Sequence, residues 1–370
     1  MAANQLPPMA EDRGYAWLAG ALRARIAAGE IPAGESLPTV RELGAEHGVS
    51  RETARRAVRE LVAEGLVASE PRHGHRVQAR ANDPDRGLPI AFVLGAAEEP
   101  GLWNEFYRLL FAGLQSAAAR RGWSVLAVGA GRRSAREVME QLRDCRACGM
   151  VLDTMNPELL AAVRKMGLPA VMMDAWDPDM GLDAVVQDSF QGALLAVRYL
   201  VGRGHRRIGW LGPIAESSQS RERFGGAAAE LAASGLGPEA RLMADTPHSG
   251  SRAAARKLLA GRSRPTGVLG LWHDAASELV GAARELGLKP GRDLEVVGWS
   301  AEEDYDANYR ALFGDGHVPP TMVWSIAELA RMTVARLAER RASPAMPPAL
   351  IKVPTRLRLP EGSRSKEDVQ

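Results

Sequence analysis

The sequence predicts an α/β protein in two unequal parts, a small helical module ending in a β-hairpin and a large region of alternating strands and helices. Three observations predict it. Residues 13–80 hold three helix-like stretches parted by Gly- and Pro-containing turns and followed by two short β-prone runs. Residues 89–360 repeat a strand-then-helix rhythm. Between them, ANDPDRGL (81–88) is polar and holds Pro, Gly and Asp, as a linker does. At 370 residues the chain is long for one domain and comfortable for two.

The module opens with AWLAGALRARI (16–26), which reads as one amphipathic helix, followed by the turn AAGEIPAGESLP. Pro38 is expected to open a second helix, TVRELGAEH, and Gly48 to close it, because glycine accepts the positive φ of a helix C-terminus. Ser50 is a natural N-cap for a third helix in VSRETARRAVRELVAEG, which Gly65 ends. Two helices joined by a short Gly-containing turn make a helix-turn-helix pattern. LVASE and RVQAR then flank PRHGH, two strands around a turn that read as a hairpin wing with Arg72, His73, His75 and Arg76 at its tip.

The net charge is only +2, so any nucleic-acid reading rests on where the arginines sit. On the third helix Ala54, Ala57, Val58, Leu61 and Val62 supply the buried face. Arg51, Arg55 and Arg59 recur every four residues on another face. Glu52–Arg56 and Arg56–Glu60 are at i,i+4 spacing, which leaves the 51/55/59 stripe free for DNA. The bland reading is a solvated charged face. Ser50 and Thr53 mark the helix start, where a recognition helix meets base edges. The wing suits phosphates or the minor groove.

These residues resemble the N-terminal winged helix of the GntR-type bacterial regulators over about 14–79. The carriers are the G-x-x-x-x-G-x-x-L-P turn, the G-V-S-R helix start, the E-G-L-V exit and the H-G wing tip. The resemblance implies DNA contacts at Arg41, Ser50, Arg51, Thr53, Arg55, His73 and Gly74. Glu52 departs from the small or polar residue usual in that family.

In the large region the strand candidates are IAFVL (90–94), SVLAVG (124–129), MVLD (150–153), AVMMD (170–174), DAVVQD (183–188), RIGWLG (207–212), TGVLGL (266–271) and LEVVGW (294–299). They are short and apolar along most of their length, as strands covered on both faces are. Alternating with helices, they predict mostly parallel sheets with ligands at the carboxyl ends of the strands. Trp103, Trp176, Trp272 and Trp299 fall at or just after strand ends, and Trp324 lies near the end of the region. Indole faces there suit the C–H face of a sugar, although core packing is at least as common for any one of them.

The runs DAVVQDSFQGALLAVRYLVGRGHRRIGWLG, SRERFGGAAAEL, RPTGVLGLWHDAASELVGAARELGLKPGRDLEVVGWS and VPTRLRL resemble the effector domain of the LacI/GalR-type regulators, itself similar to periplasmic sugar-binding proteins. The resemblance implies two α/β subdomains joined by three chain crossings, about 89–185 plus 320–343 and about 186–318 plus 347–360, with a ligand cleft between them. It places ligand contacts at Arg223, Asp188, His273, Asp274 and Ser300, and the tryptophans add Trp103, Trp272 and Trp299. His273 stands in place of an Asn, Ser300 in place of an Asp, and Ser189 in place of an Asn. Ser cannot replace a carboxylate one for one, and His273 would also suit an acidic or phosphorylated ligand.

Several classes are excluded. The lone CxxC of Cys145 and Cys148 cannot fill a four-ligand zinc site and sits between a helix end and a strand, so the thiols read as reduced and inert. No GxSxG, HExxH or Walker-type loop is present, and no lysine sits in a cofactor motif, so neither enzyme chemistry, cofactor nor metal is expected. MAANQLPPMAEDRG lacks a signal-peptide core, and no run approaches the ~20 apolar residues of a membrane span. The expectation is a cytoplasmic, homodimeric regulator whose affinity for a double-stranded DNA operator is set by a carbohydrate-like effector, with relief of repression as the polarity. A short leader (1–12) and the polar tail 361–370 are expected to be loose. The alternatives are a sensor that serves only to dimerise the chain, or a solute-binding domain whose winged helix contacts protein.

Overall fold

The computed structural model describes residues 14–28, 30, 31, 34–70, 74–77, 89–95, 105–246, 251–314 and 316–360. The leader, the 81–88 linker and the tail lie outside them, as do His73 and Trp103.

The N-terminal module is built from α1 (Tyr15–Ala28), α2 (Val40–His47) and α3 (Arg51–Ala63), then the antiparallel hairpin β1 (Val67–Glu70) and β2 (Gly74–Val77). The second helix starts after Thr39 rather than at Pro38. The Thr39 hydroxyl accepts from the Glu42 N–H while the Glu42 carboxylate accepts from the Thr39 N–H, a reciprocal cap. Gly48 follows it at φ 66°, the left-handed conformation that terminates the helix. Leu18, Leu22, Leu43, Ala54, Ala57, Val58 and Leu61 close one apolar core beneath the three helices.

The large region forms two six-stranded sheets. The first holds β3 (Pro89–Leu94), β4 (Ser124–Gly129), β5 (Gly149–Asp153), β6 (Ala170–Met173) and β7 (Asp183–Gln187). With β13 (Leu350–Val353) it runs in the order β13-β7-β6-β5-β3-β4, all parallel. The second holds β8 (Ile208–Leu211), β9 (Met243–Ala244), β10 (Gly267–Gly270), β11 (Glu295–Ala301) and β12 (Thr321–Trp324). Its order is β14-β12-β11-β10-β8-β9, and β14 (Arg356–Arg358) is its one antiparallel strand. Burial on both faces of the inner strands explains their unbroken apolar runs, whereas the edge strand β4 is partly exposed.

Helices α4 (Glu105–Ala119), α5 (Ala135–Asp144) and α6 (Pro157–Met166) belong to the first sheet. Helices α7 (Ser189–Gly202), α8 (Ser218–Ala233), α9 (Arg252–Leu259) and α10 (Trp272–Glu285), with the turn α11 (Glu302–Asp304), belong to the second. The chain crosses between sheets after β7, after β12 and between β13 and β14. This corrects the expected division at two places. Residues 320–343 do not stay together: β12 pairs with β11 in the second sheet, and only α12 (Ile326–Ala342) packs on α4 and the first sheet. Nor does 347–360, since β13 pairs with β7 and β14 with β12. One buried carboxylate fixes this return. Asp183, at the start of β7, accepts from Arg336 (2.8 and 2.9 Å), Arg340 (2.7 Å) and the Ala349 N–H (2.8 Å). Against the desolvation that would raise it, these bonds hold its carboxyl below the usual range.

Candidate functional site

Two surfaces carry the chemistry. On the N-terminal module, Ser50 caps α3 by accepting from the Thr53 N–H at 3.0 Å, and the two hydroxyls lie 2.8 Å apart. Arg51 opens the helix and Arg41 lies in the first turn of α2, both exposed and without an ion pair among the described residues. Arg55 and Arg59 are not free as expected. Glu52 takes both, one oxygen to each at 2.8 Å. Arg56 does not pair with Glu52 or Glu60, because it faces α1 and lies over the Tyr15 ring at 3.7 Å, while Glu60 meets Arg23 at 3.5 Å. Gly74 begins β2 at φ 81°. Its wing places the His75 imidazole 3.1 Å from the Ser69 hydroxyl.

The second surface lies where the carboxyl ends of the two sheets face each other. Arg223, in the second turn of α8, is fully buried, with its guanidinium over the Trp299 ring at 4.0 Å. Its Nη2 donates to the Gln187 side-chain oxygen at 2.8 Å, and the Trp299 Nε1 donates to the same oxygen at 2.8 Å. The Gln187 amide nitrogen donates to Asp174 at 3.0 Å. From the head of α8, the Gln219 side chain donates to the Asp174 carbonyl oxygen. Asp174 follows β6 at φ 55°, a conformation uncommon for a residue with a Cβ. Asp153 ends β5 nearby, and no hydrogen bond or ion pair engages its carboxylate among the described residues.

Burial dominates the electrostatics of this cluster. It pushes Asp153 up to about 7, with the Asp174 charge adding to the effect. It pushes Asp174 up to about 6, opposed by the hydrogen bonds from Gln187 and Gln219 and by Arg223. It pulls Arg223 down to about 9. Tyr107 on α4 is raised by burial and by both carboxylates. Among the described residues the wall formed by the first sheet is therefore rich in acceptors, and the Arg223 guanidinium that faces it is already engaged.

The expected ligand residues divide. Arg223 and Trp299 meet directly, but Trp299 is buried beneath the arginine and offers no open ring face. Ser300 is buried and donates to the Ala301 carbonyl at 3.1 Å. Asp188 caps α7 through the Gln191 N–H at 3.0 Å and lies 3.7 Å from Lys352. Asp274 lies in the first turn of α10. The side chains of Trp272 and His273, also in that turn, and all of Trp103 fall outside the described residues. Trp324 is core, packed edge-on to Phe106, and Trp176 packs against the first subdomain. The residues that sequence reasoning missed are Gln187, Asp174, Asp153 and Gln219. Gln187 and Asp153 end strands and Asp174 directly follows one, and the strand-end rule that located the cleft would have found them.

Neither Cys145 nor Cys148 is in a disulfide, and Cys145 donates to the Leu142 carbonyl at 3.3 Å. Among the described residues no His, Cys, Asp or Glu cluster could hold a metal ion, and no helix is long and apolar enough to cross a membrane.

Known proteins match both parts. Residues 15–77 fit the model for bacterial regulatory proteins of the gntR family, and residues 197–359 fit the periplasmic binding protein-like domain. The chain is 28% identical over 170 residues to the HTH-type transcriptional repressor PurR of Photobacterium profundum, a match covering 44% of this chain and 51% of that repressor. It thus spans about half the length of that relative. It is 27% identical over 281 residues to the ribose operon repressor of Escherichia coli, 71% of this chain and 83% of that one. The structure of a LacI family transcriptional regulator from Enterococcus faecium with bound ribose has the same fold, at a TM-score of 0.58 and 20% identity over 73% of this chain and 97% of that one.

Proposed function

Because the chain joins a gntR-type helix-turn-helix domain to a periplasmic-binding-protein-like domain, we propose that it is a transcription repressor whose operator affinity is set by a small, hydroxyl-rich effector bound between the two sheets. Arg41, Ser50, Arg51, Thr53, Arg55, His73 and Gly74 contact the DNA in this reading. A homodimer presents two such heads to half-sites of a near-palindromic operator. The chain binds rather than catalyses.

The single observation that carries the effector side is the buried Arg223–Gln187–Asp174 cluster at the first crossing, with the Asp153 carboxylate, unengaged among the described residues, beside it. A polyol can donate to the carboxylates and accept from the arginine. Among the described residues a phosphorylated or acidic ligand would meet the two carboxylates of Asp153 and Asp174 before a cation already tied to Gln187 and Trp299, so a neutral sugar fits better. Relatives named for the ribose operon and a ribose-bound structure support this class. Closure of the cleft changes DNA affinity only through the effector's unequal affinity for the two states.

The test is a binding-site selection with full-length protein on random duplex DNA, followed by anisotropy titrations of the selected site with and without D-ribose, cellobiose and other neutral sugars. Sequence-selective binding weakened by a neutral sugar is expected. Absence of any selected site at low salt, or DNA binding indifferent to every sugar that binds the protein, overturns the reading.

A further inference from the structure

The amide of Gln187 has only one chemically sensible orientation. Arg223 and Trp299 carry donors and no acceptor on the groups that meet it, so the amide oxygen must face them. The Asp174 carboxylate offers acceptors, so the amide nitrogen must face it. No other side chain of this length satisfies all three: Glu would set an acceptor against Asp174, and Leu would leave the Trp299 indole and the Arg223 fork short of a partner. Gln187 is also the last residue of β7, where the chain first leaves one sheet for the other. The room for this arrangement is built in. A Cβ on Gly192, in the next helix, would stand 2.4 Å from the tip of the Trp299 ring.

We propose that Gln187 is the positioning residue of the cleft, holding Arg223 and Trp299 of the second subdomain and Asp174 of the first in one fixed relation, so that the effector meets an aligned donor and acceptor. This rests on the cleft being an effector site, but the linkage exists without ligand and is tested without it. A consequence follows from the chemistry. Asp174 accepts from the same amide whose oxygen accepts from Trp299, so protonation of Asp174 weakens one end of the amide and is felt at the other. The groups facing Asp174 are Asp153 from β5, Tyr107 from α4 and Arg223 from α8, with the Arg221–Asp177 pair at the rim. Of these, Asp153 is the neighbour that burial places at about 7, close to Asp174.

The experiment follows the indole N–H resonances of full-length, ligand-free protein by 1H–15N NMR across the titration of Asp174, which burial places at about 6. Trp299 is assigned by loss of its signal in Trp299→Phe. In the parent protein its resonance should lie at a hydrogen-bonded position and shift with an inflection in that range. In an Asp153→Asn background, which removes the neighbouring acid, the inflection should persist, and adding Asp174→Asn should abolish it and keep the hydrogen-bonded position, since the Asn oxygen still accepts from Gln187. Gln187→Leu should lose both, with melting curves showing that it is folded. A Trp299 resonance insensitive to pH in the parent, or unmoved by Gln187→Leu, overturns the proposal. Either result leaves the effector reading to stand or fall on the sugar titrations above.

Discussion

Glu52 is predicted to restrain DNA binding, and Glu52→Gln to strengthen it. In the free protein one carboxylate holds the guanidinium groups of Arg55 and Arg59 at 2.8 Å each, with all three side chains more than half exposed. Exposed pairs of this kind are worth about 0.2–1 kcal/mol each. Releasing two of them therefore removes about 0.4–2 kcal/mol of competition with phosphate, a gain in affinity of roughly two- to thirty-fold. The same substitution deletes one negative charge from the DNA-facing helix. The slope of log K against log salt should steepen by up to about 0.9. Fluorescence anisotropy with the selected operator over a salt series reads both quantities, and Arg51→Ala, which removes an unpaired cation, should move both the opposite way. An unchanged or weaker affinity for Glu52→Gln at every salt concentration would show that Arg55 and Arg59 stay with their acid, or turn away from DNA, and the assignment of this face would be wrong.

Three further outcomes follow from the large, two-sheet domain. Asp183→Ala strands Arg336 and Arg340 in a buried site where they now share one carboxylate, so thermal unfolding should reveal a loss of about 3–5 kcal/mol; a loss under ~1 kcal/mol would mean the pair is effectively solvated. Asp153 and Asp174 have folded values of about 7 and about 6, above the unfolded value of about 4. Over that window the unfolded chain has released protons that the folded chain keeps, so stability should fall as pH rises, and urea midpoints should show a smaller fall in Asp174→Asn. Gly192→Ala drives a methyl into Trp299 and the Thr355 hydroxyl, 2.4 and 2.7 Å from the ideal Cβ, and should cost about 1–3 kcal/mol with a displaced Trp299 indole resonance; an unmoved resonance in a fully stable variant would contradict the packing.

Much of the fold was legible because its signals are local. All eight strand candidates are strands, since continuous apolar runs between helical patterns have few other readings. The C-terminal crossings were not legible. VPTRLRL is one seven-residue run, yet β13 and β14 place its two halves in different sheets. The partner of β13 lies over 160 residues back and that of β14 over 30, and nothing in seven residues names them. The charge pattern on α3 misled for a related reason. Spacing of four suggested Glu52–Arg56, but Arg56 is drawn to the Tyr15 ring on another helix, and Glu52 reaches three and seven residues along its own. Spacing reports which pairs can form within a helix, and tertiary neighbours decide which do.

The site shows the same limit in sharper form. Trp299 and Ser300 were both expected at the ligand, but consecutive residues in a strand point to opposite faces. With β11 covered on both sides, one of the two had to turn away from any shared ligand. The structure shows that both are buried, the indole under Arg223 and the hydroxyl on a backbone carbonyl. Position 300 therefore presents a buried hydroxyl, and the carboxylates come from the opposite wall, where Asp153 ends β5 beside Asp174. The sequence displayed these acids at the ends of MVLD and AVMMD, but which strand ends face one another depends on how two sheets are set across three crossings. An indole ring at a strand end is as good a floor for an arginine as for a sugar, and only the burial of that arginine tells the two apart.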